Sequence, residues 1–123
     1  MKKTATFLVL LAVGIFTEMP ASGQAKKNVL FEHYTNDGCN PCAQQNPVFI
    51  NTILPFNKGR IHVISHHTWW PDANDPMYTY NTSGNDDRIN YYGVNGTPTM
   101  IMLGNQWSGG PAGVTQSMIN EAS

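Results

Sequence analysis

Cys39 and Cys42 are the only two cysteines in 123 residues, and Asn40 and Pro41 separate them. Two thiols at this spacing can close a disulfide, exchange it with a substrate, or supply half of a metal site. Before them runs Phe31-Glu32-His33-Tyr34-Thr35, extended and largely apolar, then the polar turn Asn36-Asp37-Gly38. After them Ala43 to Ile50 continues as an amphipathic helix, so the cysteines open that helix. The unpaired N–H groups and positive end of a helix N-terminus stabilise an anion. A thiol there falls from about 8.5 into the range of roughly 3.5–7.5, and the thiolate is the reactive form. Cys42, one turn on, is close enough to close a disulfide with Cys39 and to resolve a mixed disulfide with a substrate.

The competing chemistry is metal binding. A structural zinc site takes four Cys or His ligands at tight spacings. No second C-x-x-C is present, and His62, His66 and His67 lie on a separate predicted strand without finger-like spacing. The strand-then-helix context favours redox chemistry, so neither a metal nor another cofactor is expected. A purely structural disulfide would close too small a loop to constrain the unfolded chain much.

The elements that must position these thiols are read from the rest of the chain. Residues 1–25 read as a signal peptide. Lys2 and Lys3 precede the apolar run Phe7–Phe16, and Gly23-Gln24-Ala25 is a small-x-small cleavage site. Ten apolar residues are too few to span a bilayer, which needs about 20. Residues 26–123 are then one small exported domain, placed in the periplasm, secreted, or associated with an outer membrane. Losing two lysines and one glutamate moves its formal net charge from −1 to −2. No basic run points to nucleic acid, and no later stretch is long and apolar enough for a membrane span.

Asn28–Thr35 reads as a central strand, apolar on both faces at its start. The helix from Cys39 to Leu54 is expected to bury Val48, Phe49 and Ile53, with Ile50 beside them. Pro41 lies in its first turn, where a missing N–H costs nothing, Pro47 kinks it, and Gly59 caps it. Arg60–Thr68 is a second strand, parallel to the first through this crossover. Trp69 to Asn85 reads as a long irregular loop rich in aromatic residues, either a binding loop or a cover for the sheet edge. A short helix over 86–92, a strand over 99–103, a turn at 104–106 into Trp107-Ser108, and a last helix over 114–122 complete the domain.

With these residues placed, the chain resembles the thioredoxin-like superfamily. The C-x-x-C opens the first helix after a central strand, and Pro47 stands five residues beyond Cys42. Tyr92-Gly93-Val94-Asn95-Gly96-Thr97-Pro98-Thr99 is similar to that family's Y-G-V-x-[GS]-x-P-T signature. The likeness covers residues 28–122. The first strand, the turn and the aromatic loop are most similar to domains of secreted and outer-membrane-associated bacterial proteins. The resemblance implies an α/β thioredoxin-like fold. Its central mixed sheet is flanked by helices, with a long inserted loop and a short C-terminal helix. It implies thiol–disulfide oxidoreductase activity on protein thiols and disulfides, with a redox partner protein. Cys39 would attack and Cys42 resolve. Pro98, in a cis peptide, would shape the groove beside the sulfurs. Thr97 would offer its backbone to an extended substrate, with Gly38 and Pro41 beside it. A Thr before this proline is similar to the isomerase branch of the family.

Two departures stand out. The family often has Trp before the first cysteine. Here Gly38 occupies the position and is expected to leave the site more open. Many thioredoxins bury an Asp six residues before the first cysteine, where this chain has His33 with Glu32 beside it. Strand neighbours point to opposite faces, so only one of the two can lie under Cys42. A buried Glu32 would titrate upward and serve as acid/base; His33 is the other candidate. The short closing helix is also what a fragment of a larger exported protein would show. A thioredoxin-fold binding module with a structural or vestigial disulfide is the alternative reading of the whole.

Overall fold

A computed structural model describes residues 25–123. The expected signal peptide lies outside the described residues, apart from Ala25. The elements run β1 (Val29–Thr35), α1 (Asn40–Thr52), β2 (Ile61–His67), α2 (Pro76–Tyr80), α3 (Thr82–Tyr92), β3 (Thr99–Met102), β4 (Trp107–Gly109) and α4 (Gln116–Ala122). The strands form one mixed sheet in the order β2-β1-β3-β4. β1 and β2 are parallel, in register from Val29 opposite Ile61 to Thr35 opposite His67. β3 runs antiparallel to β1, with Tyr34 opposite Thr99, and β4 antiparallel to β3.

β1 is buried on both faces, and its alternation divides the core in two. Val29 and Phe31 meet Phe49 and Ile53 of α1, together with Met100, Met102, Val114 and Ile119. The Phe31 and Phe49 rings pack edge to face, 5.6 Å between centroids. On the other face Tyr34 packs with Ile89 of α3, Val94 and Ile101, and Trp70 and Tyr92 close over them. One face therefore belongs to α1 and α4, and the other to α3.

Several boundaries differ from the sequence reading. α1 buries Cys42 and Phe49, with Ile53 as its C-cap, whereas Val48 and Ile50 are 42% and 50% exposed. At 3.6 residues per turn, both neighbours of Phe49 swing about 100° off the buried stripe. Ile53, not Gly59, caps the helix, and a 3₁₀ turn at Pro55–Asn57 comes next. Gly59 instead takes φ +73° in the turn that enters β2, a conformation that suits glycine.

The segment after Trp69 is irregular only as far as Asp75, and two helices follow where the loop was expected to continue. Asp75 caps α2 by accepting the N–H groups of Met77 and Tyr78, with Pro76 in the first turn. Asn81 caps α3, which starts at Thr82 rather than Asp86. An acid followed by proline is a helix start that low apolar periodicity hides. The last helix begins at Gln116, capped by Thr115. Among the described residues no helix is long and apolar enough to cross a membrane.

Replacing Phe49 by Ala should lower the unfolding free energy by about 3–5 kcal/mol. Val48→Ala should stay within about 0.5 kcal/mol. Urea unfolding of both variants checks the facing of α1; equal losses would mean the helix is turned otherwise.

Candidate active site

Cys39 is the N-cap of α1, and its Sγ accepts the N–H of Cys42 at 3.1 Å. The two cysteines form a disulfide with Cα atoms 5.2 Å apart. Pro41 sits in the first turn and is exposed, as is Gly38 in the turn before the pair.

The turn that delivers Cys39 is organised by one buried amide. Asn36 Nδ2 donates to the carbonyls of Thr68 and Asp72, both at 2.8 Å. Its Oδ1 accepts the N–H of Gly38 at 2.9 Å and of Asp72 at 3.2 Å. The Asp37 N–H donates to the Asp75 carboxylate at 2.9 Å. Both Asp72 and Asp75 come from the segment after β2. A Cβ on Gly38 would stand 2.8 Å from Asp72 Cβ, closer than such atoms approach. Gly38 therefore does not open the site as expected. Asp72 fills the space beside it, and Cys39 and Cys42 are only 4% and 2% exposed.

The Thr97–Pro98 peptide is cis, and so is Trp70–Pro71. Because Tyr34 lies opposite Thr99, Pro98 falls beside the end of β1, at the same end of the sheet as the cysteines. Thr97 and Pro98 are half-buried there.

Glu32 and His33 separate as the pleat requires. Glu32 faces α3, on the side of the sheet away from α1. Arg88 Nε donates to it at 2.9 Å, Arg88 Nη2 adds a second bond, and Tyr92 Oη donates at 2.7 Å. His66 Nε2 lies 3.0 Å from its Oε2. Burial alone would push the Glu32 carboxyl up. The bonds from Arg88 and Tyr92, the Arg88 charge and His66 outweigh it and hold the group below the ordinary carboxylate range. The expected upward titration is thus corrected. So is the placement of Glu32 as acid/base under Cys42, because its partners lie on α3 and β2.

His33 is the residue on the α1 face. Its Nε2 is 3.1 Å from Asn46 Oδ1, and Asn46 Nδ2 donates to Thr35 Oγ1 at 3.2 Å. Burial pushes the imidazole below its ordinary value, against the bond to Asn46, and the nearby His67 adds to the effect. A cavity of about 230 Å³ opens here, lined by His33, Asn46, Phe49 and Ser65 among others.

His67 Nδ1 lies 2.6 Å from the Asp75 carboxylate, which is fully buried. Burial works to raise the Asp75 carboxyl. The bond from His67 and the N–H groups of Asp37, Tyr78 and Met77 hold it low. His62 bonds Asn28 at the other end of β2. The three β2 histidines therefore have separate partners. Among the described residues no group of three or more His, Cys, Asp or Glu is arranged to hold a metal ion.

Asn36, Asn46, Asp72, Asp75, Arg88 and Tyr92 were not singled out from the sequence as parts of the site. The Asp75-Pro76 pair was the one available signal, because it marks a helix start that fixes where the carboxylate points.

No family model matches the chain, and no curated protein sequence does. Solved structures do. A Bacteroides vulgatus protein assigned as a thiol-disulfide oxidoreductase superposes with TM-score 0.56 at 16% identity, covering 80% of each chain. Tryparedoxin I from Leishmania major gives 0.51 at 17% identity, over 76% of this chain and 71% of that one. StoA from Bacillus subtilis gives 0.51 at 14% identity, over 80% and 84%. The fold is thioredoxin-like. The C-x-x-C at the head of α1 and the cis Thr97–Pro98 peptide lie at the same end of the sheet.

Two measurements check the polar frame of this site. Asn36→Ala leaves buried partners without bonds and should cost about 1–3 kcal/mol in urea unfolding. The second concerns acid. A carboxyl held low in the folded state adds stability above its unfolded pKa and loses it as pH falls through the folded value. Glu32→Gln should therefore lower stability at neutral pH and flatten part of the acid limb, with Asp75 supplying the remainder. An acid limb identical to wild type would remove Glu32 from that account.

Proposed function

We propose that this domain is an exported thiol–disulfide oxidoreductase acting on protein thiols and disulfides. The observation that carries the reading is the Cys39–Cys42 disulfide at the head of α1, at the same sheet end as the cis Thr97–Pro98. Cys39 is the attacking thiol. Its thiolate forms a mixed disulfide with a substrate sulfur and expels the substrate's other thiolate. Cys42 then attacks Cys39, releases the reduced substrate and leaves Cys39–Cys42 oxidised. Run backwards, the same site donates a disulfide.

Thr97 offers backbone groups to an extended substrate segment, with Pro98, Gly38 and Pro41 shaping the surface around the sulfurs. His33 takes the acid/base role in preference to Glu32, because it lies on the face that α1 covers. Burial favours the neutral ring, holding its imidazole below the ordinary value against the bond to Asn46. Export rests on the signal-peptide pattern of residues 1–25, with the redox partner encountered outside the cytoplasm.

One observation favours a second reading, a binding module. Trp69, Met77 and Tyr80 are 55%, 60% and 89% exposed on the segment after β2. Such a module would keep its partner after Cys39→Ser.

The deciding experiment equilibrates the Cys39–Cys42 couple with glutathione. A potential between roughly −120 and −270 mV is expected. Cys42→Ser should trap a mixed disulfide that Cys39→Ser does not form. A disulfide below about −300 mV with an unreactive Cys39 would mean a structural bond and would sink the catalytic reading.

A further inference from the structure

Charge is distributed one-sidedly about the disulfide. Among the described residues, Lys26, Lys27 and Arg60 line a hollow with Glu121 and the chain's last residues, where Val29 N bonds the Arg60 carbonyl. That is the start of β1, the end of the sheet away from the cysteines. Lys58 lies in the turn beside Arg60. Arg88 is committed to Glu32. The approach to Cys39 is instead lined with acids. Asp37 is exposed in the turn itself. Asp72 lies against Gly38, so close that a Cβ there would be 3.7 Å from its Oδ2. Asp75 lies behind Asp37 and accepts its N–H. Among the described residues, Asp72 Oδ1 accepts only from Asn74, at 2.8 and 3.3 Å. The other titratable groups facing this region are His67, bonded to Asp75, and His33, bonded to Asn46.

We propose that Asp72 and Asp75 are positioning residues: they hold the turn before Cys39, and their negative charge biases the Cys39–Cys42 couple toward the disulfide, so that its dithiol acts as an electron donor to substrate disulfides. This rests on the redox reading above. A like charge nearby disfavours the thiolate. A disfavoured thiolate raises the free energy of the reduced form and lowers the potential. The donor half-reaction then runs forward. Two electrons and two protons leave the Cys39 and Cys42 thiols, their S–S bond forms, and the substrate S–S bond breaks to give two thiols. A protein dithiol of lower potential restores the reduced form.

The test uses the purified protein and its Asp72→Asn, Asp72→Glu and Asp75→Asn variants. Thiolate absorbance gives the Cys39 pKa, and equilibration with glutathione gives the couple. Asp72→Asn keeps the side chain's shape and its acceptor oxygen. It should lower the Cys39 pKa by about half a unit. At a pH above the Cys39 pKa, it should also shift the equilibrium about threefold toward the dithiol, on the order of 15 mV. Asp72→Glu should stay near wild type. Added salt should shrink the difference, because screening weakens a partly exposed charge. A purely structural role would move none of these in the isosteric variant. A reactive Cys39 whose pKa and equilibrium are unchanged in Asp72→Asn overturns the proposal while leaving the redox reading intact. A thiol unreactive in the wild type overturns both. Asp75→Asn, if it folds, should shift in the same direction as Asp72→Asn, and the opposite shift counts against the proposal.

Discussion

Successive side chains of a strand point to opposite faces, and β1 has a strand on each edge and a helix on each face. That constraint decides most of the architecture around the cysteines. It sends Val29 and Phe31 into the core under α1, which fixes how α1 lies on the sheet and so where Cys39 and Cys42 emerge. It also splits the adjacent ionisable pair. Glu32 has to meet Arg88 and Tyr92 of α3, and His33 has to meet Asn46 of α1. A shift of one residue in register would exchange them, burying a charged carboxylate under α1 without its guanidinium. The Glu32–Arg88 ion pair and the helix face that carries Cys39 and Cys42 are kept apart by the pleat itself.

The second constraint is polar. At the end of β1 the chain must leave the sheet and reverse into a helix, and the backbone groups freed there need partners. Asn36 satisfies several of them at once. Its side chain bonds Gly38 on one side and Thr68 and Asp72 on the other. The turn before the cysteines is consequently built from two distant stretches of sequence. Asp75 does the same for Asp37 while capping α2, and its bond to His67 ties that cap to the end of β2. Glycine at position 38 is a consequence of this arrangement, because a larger residue would occupy the volume of Asp72.

Much of the fold was legible because it is written locally. Each boundary of β1, α1 and β2 came within a few residues from periodicity, turn residues and proline positions. The cis Thr97–Pro98 peptide was legible from its signature. What stayed hidden was carried by tertiary contacts. Asp72 and Asp75 look like loop residues until the packing brings them to Asn36 and Asp37, 36 and 38 positions away in sequence. For Glu32 the sequence alone points to the wrong direction of titration. Burial is visible in a pattern of apolar neighbours, but the Arg88 that outweighs it is 56 residues distant. Val48 and Ile50 were misplaced for a simpler reason. An apolar run of three on a helix cannot all face one side, and only the packing partner, Phe31, selects Phe49.

A thiolate at Cys39 would stand under effects that the geometry sets against one another. The head of α1 and the N–H of Cys42 favour a thiolate at this position, a helix terminus being worth about 0.3–1 kcal/mol at an exposed site. Burial opposes it, since a sulfur with little exposure loses hydration when ionised. The carboxylates on the approach oppose it as well, and no cation among the described residues is free at that end of the sheet to offset them. Two of the three effects therefore point the same way. The acids come from one structural element, the segment after β2, where Asp72 lies against Gly38. A thioredoxin-like site with a bulky aromatic residue before its first cysteine would screen the sulfur with an uncharged group. In this chain glycine at that position makes room for a charged one, so shielding and electrostatics change together rather than independently.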